Sequence, residues 1–314
     1  MITRRIFLKN VSLLTANLYA GLSNASAVFA KKSNPGDKKS RPNFVFIMTD
    51  DQKWDAVGYQ NTYPFLKTPN INLLAREGAI FDNAFVTTSL CSPSRACILT
   101  GTYAHKNGVT INQKNDPDPN LPTLQQSLQD AGYETAFIGK WHMKHTGRPR
   151  PGFDYWLSFK GQGEYFNPAL NENGREFKEE GYMTDILNDY AVNWLNKERE
   201  KPFCLFVWHK AIHQPFSPAP RHSRQYESHK LPEPANYRDD YSDKPVWLRR
   251  GAEYGVHHKS WQASEGKPVP DKCEPNEWDP ENIKMFDYLR AISAVDEGVG
   301  KIYETLKETD RLNN

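Results

Sequence analysis

Apolar residues in this chain fall into short runs set apart by polar, Gly- and Pro-containing turns, and the runs alternate between two spacings. Asn43-Phe44-Val45-Phe46-Ile47-Met48 is an unbroken apolar stretch that stops at Thr49-Asp50-Asp51, the pattern of a strand buried on both faces. Thr68-Pro69 then opens a helix running to about Glu77, with Gly78 beyond its end, which is the usual placement of proline at a helix start and glycine at its stop. Ala79–Val86 reads as a second strand. In Cys91-Ser92-Pro93-Ser94-Arg95, Ser92 can cap a helix whose first residue is Pro93 and whose far end is Gly101, leaving Cys91 just before a helix N-terminus. Further on, a short helix is predicted over Thr123–Ala131 with Gly132 behind it, and a strand over Glu134–Ile138 that leads into Gly139-Lys140-Trp141-His142. Helical spacing recurs over 182–197 through Ile186, Tyr190 and Trp194, and Phe203–Val207 is a strand running into His209 and His213. The stretch 214–280, rich in Pro and Trp and poor in periodicity, reads as an irregular insertion; Asp279-Pro280 starts a last helix reaching about Thr309.

Strands alternating with helices predict an α/β fold, a mostly parallel central sheet flanked by helices. In such sheets ligands gather beyond the carboxyl ends of the strands. Asp50, Asp51, Lys140, His142 and His213 all follow predicted strands directly, so these five are candidate site residues before any chemistry is considered.

Composition changes the picture at the N-terminus. Thr3-Arg4-Arg5-Ile6-Phe7-Leu8-Lys9 resembles a twin-arginine export signal, and small residues follow at Ala25-Ser26-Ala27 and Val28-Phe29-Ala30. Residues 1–30 are read as an export signal, read by the twin-arginine or the general export machinery, and residues 31–42 as a charged linker. Ser12, Thr15, Asn17 and Ser23 break the apolar run, which makes it a poor membrane span, so an integral membrane protein is not expected. The expected location is periplasmic or extracellular. The formal charge of +2 becomes −1 once Arg4, Arg5 and Lys9 are set aside, which removes the electrostatic case for binding nucleic acid. Four cysteines, Cys91, Cys97, Cys204 and Cys273, are too scattered for a disulfide framework or a zinc site, although a single Cys97–Cys204 or Cys204–Cys273 bridge stays open.

Adjacent carboxylates such as Asp50-Asp51 suit a hard divalent cation, whose charge removes their mutual repulsion; a solvated acidic turn fits the dipeptide equally well. Cys91 beside a helix N-terminus, with Arg95 one turn on, is a place where a thiol pKa would be lowered or an anion held. The competing reading is a structural cysteine beside an ordinary ion pair.

Cys91, Pro93, Ser94, Arg95, Leu99, Thr100 and Gly101 match the pattern C-x-P-S-R-x-x-x-L-T-G, and here the chain resembles the type I, formylglycine-dependent sulfatases of the alkaline-phosphatase-like superfamily. The resemblance continues through Asp50-Asp51, Gly139-Lys140-Trp141-His142 and His209-Lys210-Ala211-Ile212-His213-Gln214-Pro215-Phe216, and so covers roughly residues 43–310. It implies that a maturation enzyme oxidises Cys91 to Cα-formylglycine, and that a bound calcium favours ionisation of the aldehyde hydrate. One hydrate oxygen then attacks the sulfur of a sulfate ester, and the other expels sulfate as the aldehyde re-forms. By the same resemblance Asp50, Asp51 and the modified Cys91 ligate the cation, and Arg95 holds the hydrate. Lys140 meets the sulfate oxygens, His142 accepts the hydrate proton, and His213 protonates the leaving alcohol. His105, His145 and His209 receive no role, and Cys97 is read as a core residue. The substrate implied is an aryl sulfate or, given the aromatic content of the insertion, a sulfated carbohydrate. The stretches Glu164–Gly174 and Gly181–Asp185 look similar to sulfatases acting on N-acetylglucosamine 6-sulfate. Family members carry further metal ligands and a smaller subdomain beyond the position of Asn314, so residues 43–314 are expected to be a truncated N-terminal catalytic domain. The alternatives are a phosphonate or phosphodiester hydrolase of the same superfamily, and a non-catalytic chain that binds sulfated glycans.

Overall fold

The central strand of the sheet is apolar at every position. Phe203, Leu205 and Val207 point to one face and Cys204, Phe206 and Trp208 to the other, as a period of two requires, and all six are buried. In the computed structural model, which describes residues 41–112, 115–144, 146–233, 243–245 and 280–313 with the side chains of 280–283 excepted, six strands form one sheet. In chain order they are β1 (Phe44–Met48), β2 (Glu134–Gly139), β3 (Tyr155–Ser158), β4 (Ala169–Glu172), β5 (Arg175–Lys178) and β6 (Phe203–Trp208), arranged in space as β1-β6-β2-β3-β4-β5. β1, β6, β2 and β3 run parallel, whereas β4 and β5 form an antiparallel hairpin at the far edge. The α/β expectation with a mostly parallel sheet is met.

Helices cover both faces. On one face Phe137, Trp156, Phe206 and Trp208 pack with Ala96 and Leu99 of the helix α2 (Cys91–Thr100). On the other, Ile138, Leu157, Leu205 and Val207 pack with Met183, Ile186 and Leu187 of α4 (Met183–Leu195) and with Ile302 of α5 (Pro280–Glu308). The helices α1 (Pro69–Glu77) and α3 (Leu124–Asp130) lie where the punctuation of the sequence predicts them. Asp296 of α5 fastens α1 by accepting hydrogen bonds from the backbone N–H groups of Asn70 and Ile71, the free donors of a helix first turn.

Four readings are adjusted. β1 packs on both faces, Val45 and Ile47 against one core and Phe46 and Met48 against the other, but stays half-buried because among the described residues it is the edge strand, paired with β6 alone. Ala79–Val86 is no strand but irregular backbone with a turn at Asp82-Asn83, and Phe81 is 81% and Phe85 86% exposed; an apolar run takes strand geometry only where a neighbouring strand accepts its backbone hydrogen bonds. α2 starts two residues earlier than predicted, with Cys91 as its first residue and Leu90 before it; Ser92 turns inward to donate to the His142 carbonyl oxygen instead of capping. Cys91, Cys97 and Cys204 are free thiols, so neither bridge left open by the sequence is formed. β3, β4 and β5 have no counterpart in the sequence reading, although Asn173-Gly174, both at positive φ, join β4 to β5 by the two-residue turn that this dipeptide favours. The export segment 1–30, the linker up to residue 40, His145, Cys273 and most of the insertion 214–280 lie outside the described residues.

Candidate active site

Hydrogen bonds that continue the β1–β6–β2 ladders past the strand ends bring three loops together at the carboxyl edge. The Asp50 N–H donates to the Ala211 carbonyl (2.8 Å), the Ile212 N–H to that of Asp50 (2.7 Å) and the Lys140 N–H to that of Trp208 (2.7 Å). Gly139 permits the last approach. Its φ is +127°, and a Cβ there would lie 1.9 Å from the Trp208 carbonyl oxygen. Asp50-Asp51, Lys140-Trp141-His142 and the segment ending in His213 therefore share one rim with the first turn of α2.

At the centre lies Asp50, which is buried. One carboxylate oxygen accepts a hydrogen bond from the Lys140 ammonium and faces the Arg95 guanidinium at 3.4 Å; the other is 3.6 Å from the Cys91 Sγ. Burial opposes ionisation of Asp50, but Arg95 and Lys140 overcome it and hold the carboxyl below the usual carboxylate range. Arg95 also donates to the Lys140 carbonyl oxygen (2.6 Å) and lies over the Trp208 ring, 5.2 Å from its centroid. Lys140, fully buried, adds a bond to Gln162 Oε1 and approaches the Cys91 Sγ at 3.7 Å. Gln162, on the loop after β3, is a site residue that sequence reasoning missed; its only signal was a position just past a strand that went unrecognised.

Asp51 is exposed at φ +57°, and its carboxylate lies 3.6 Å from His213 Nε2. His213 Nδ1 is within 2.8 Å of the Gln214 carbonyl oxygen, and its own carbonyl accepts from the Tyr165 hydroxyl. Ligand atoms of Asp50, Asp51 and Cys91 lie within 4.8 Å of one another, so the structure gathers the trio named from the sequence. All of the predicted site residues line this rim.

The Cys91 thiol departs from expectation. Burial pushes its pKa up, and Asp50 and Asp51 push the same way against Lys140 and Arg95. A helix N-terminus alone would have lowered it, but here desolvation and two neighbouring carboxylates prevail. Position 91 is thus poorly suited to serve as a thiolate nucleophile.

Two histidines beside the site are held neutral. Burial, followed by Lys140 and Arg95, pushes the His142 imidazole down to about 3. His209 is wholly enclosed with neither ring nitrogen hydrogen-bonded among the described residues, and burial pushes it down to about 4. An unfolded chain takes up these protons near the ordinary value of 6.5, whereas the folded chain refuses them until about 3 and about 4. The unfolded state therefore binds more protons across that window, and stability rises with pH there. The melting temperature is expected to fall steadily as pH is lowered from about 6.5 to about 4. His209→Leu should shallow that slope, and a flat profile in the parent chain would contradict both burials.

A family model described as Sulfatase matches residues 42–314. The chain is 34% identical to an N-acetylglucosamine-6-O-sulfatase of Bacteroides thetaiotaomicron, over 94% of this chain and 59% of that protein. A solved structure of a protein in complex with its substrate D-glucosamine-2-N,6-O-disulfate superposes with a TM-score of 0.70 at 32% identity, covering 87% of this chain and 63% of the other. A phosphonate monoester hydrolase of Agrobacterium radiobacter shares the fold at a TM-score of 0.61 and 19% identity, over 87% of this chain and 60% of its own. The chain spans less than two thirds of the length of each of these relatives.

Proposed function

The chain belongs to the sulfatase family, and from that premise we propose that it carries the nucleophile end of a site hydrolysing sulfate esters of carbohydrates. The observation that supports this most is the convergence of Cys91, Asp50, Arg95 and Lys140 on one rim, from three separate stretches of sequence. Two buried cations and a residue at the start of a helix suit an anionic ester whose charge grows in the transition state.

Residue 91 is read as the precursor of Cα-formylglycine, made by a maturation enzyme; the hydrated aldehyde supplies one oxygen for attack on sulfur and a second for release of sulfate. The raised thiol pKa agrees with a precursor and not with a working thiolate. The donor set partly fits a hard cation such as calcium. Asp50 and Asp51 present carboxylate oxygens on the same side as residue 91, whereas such an ion takes about six to eight oxygen ligands and a thiol is a poor one. When bound, the ion supplies positive charge that favours an ionised oxygen at position 91. Asp50 and Asp51 would hold it, and Arg95 and Lys140 keep Asp50 ionised and in place. Lys140 would meet the sulfate oxygens. His142 would accept a proton; burial, Lys140 and Arg95 keep it neutral but also make it a weak base, so that role needs added negative charge beside it when substrate is bound. His213, steered by Asp51 and by the Tyr165 bond to its carbonyl, would donate one to the leaving alcohol.

The preference for a 6-sulfated amino sugar rests on two of the relatives described above, at 34% and 32% identity, and export rests on residues 1–30. Among the described residues no helix is long and apolar enough to cross a membrane. The deciding experiment gives the matured protein, with calcium, a 6-sulfated N-acetylglucosamine, an aryl sulfate and a phosphonate monoester. Fastest sulfate release from the sugar is expected. Faster phosphonate cleavage would transfer the site to the other hydrolase class, and binding without turnover of any of the three would make it a glycan-binding protein.

A further inference from the structure

Lys210 is a buried cation that the catalytic scheme leaves unused. It follows β6 at the same carboxyl edge as Asp50 and Lys140, and only 2% of it is exposed. Its ammonium lies 4.6 Å from the centroid of the Tyr165 ring. Among the described residues that ring is its one close partner; no carboxylate comes within ion-pair distance. The nearest acids are already engaged, Asp50 by Arg95 and Lys140 and Asp51 by His213. Burial and the Lys140 charge push Lys210 down to about 8, while Asp50, Asp51 and Cys91 pull the other way, which places its charge in electrical contact with the whole site.

A desolvated ammonium held on an aromatic face without a counter-ion is costly. The cost is recovered if an anion arrives. Resting on the sulfate-ester reading of the site, we propose that Lys210 is a second ammonium of the anion pocket, binding non-bridging oxygens of the sulfate group alongside Lys140. Tyr165 then has two functions. Its ring seats the Lys210 stem and head, and its hydroxyl ties down the His213 carbonyl. The positions of the anion contact and of the leaving-group histidine are thereby coupled through one side chain.

The test is direct binding of inorganic sulfate to the calcium-loaded wild-type protein and to Lys210→Met, followed by calorimetry, with circular dichroism to confirm folding. Loss of about tenfold or more in sulfate affinity is expected, as for one charge-assisted contact. Wild-type protein labelled with 15N in its lysine ammonium groups supplies a measurement that needs no variant, since the Lys210 resonance should shift saturably with added sulfate. Equal affinity in the two proteins, or an unmoved Lys210 resonance while sulfate binds, would reduce Lys210 to a packing partner of Tyr165. If wild-type protein takes up no sulfate at all, the sulfate-ester reading itself falls, and Lys210 with it.

Discussion

Replacing Cys91 with alanine is expected to bring sulfate release from a 6-sulfated sugar down by a factor of about ten thousand or more, the scale on which a covalent nucleophile is lost. The melting temperature should stay close to that of the parent. The side chain is only partly buried, at the first position of α2, and its contacts are two long ones, 3.6 Å to Asp50 and 3.7 Å to Lys140. Alanine keeps the helix, since no hydrogen bond of that first turn is made by the thiol and alanine is the best helix former. Cys91→Ser separates the two halves of the proposal. Serine restores an oxygen but lacks the second hydroxyl through which sulfate leaves, so a sulfated, stalled protein, heavier by one SO3 group on mass spectrometry, is the expected product. Continued turnover in Cys91→Ala would remove residue 91 from the chemistry.

The second large effect concerns Asp50. Asp50→Asn preserves the shape and removes the charge, leaving Arg95 and Lys140 buried around a neutral amide. Breaking a buried ion pair from one side costs about 3–5 kcal/mol because the surviving charges lose their partner. Denaturant unfolding should therefore show destabilisation of that order, together with loss of calcium affinity. A double variant, Asp50→Asn with Lys140→Met, removes one of the two stranded cations and should be less destabilised than Asp50→Asn alone, a non-additivity expected of groups in one network. If Asp50→Asn cost less than about 1 kcal/mol, typical of an exposed pair, Asp50 would not be the hub of the site.

Several parts of this arrangement were legible one residue at a time. Unbroken apolar runs announced β1 and β6, because strands covered on both faces need apolar residues at every position, and the shorter run Ala136-Phe137-Ile138 announced β2. Polar residues directly after those runs marked the rim. Pro69 and Gly78, and Gly101 after α2, placed helix ends within a residue or so. Asn173-Gly174 carried a turn signal that was there to be read, and with it the β4–β5 hairpin. Gln162 was not legible in this way: it belongs to no spacing that names its chemistry, and it enters the site through a loop whose course depends on strands far away in sequence. Lys210 stood in the polar stretch just after β6, but nothing local gave it a role.

The chain's own order of residues thus determined an α/β sheet, the identity of the strand-end acids and bases, and the eleven-residue stretch that holds Cys91. Only the tertiary structure decided that Ala79–Val86 is not a strand, that Ser92 turns away from the helix it seemed to cap, and that Cys91 becomes harder to ionise. The physical reason is common to all three. Backbone pairing, burial and the charges of neighbours are set by residues tens to hundreds of positions away, and a local pattern specifies what a residue can do but not which groups will surround it.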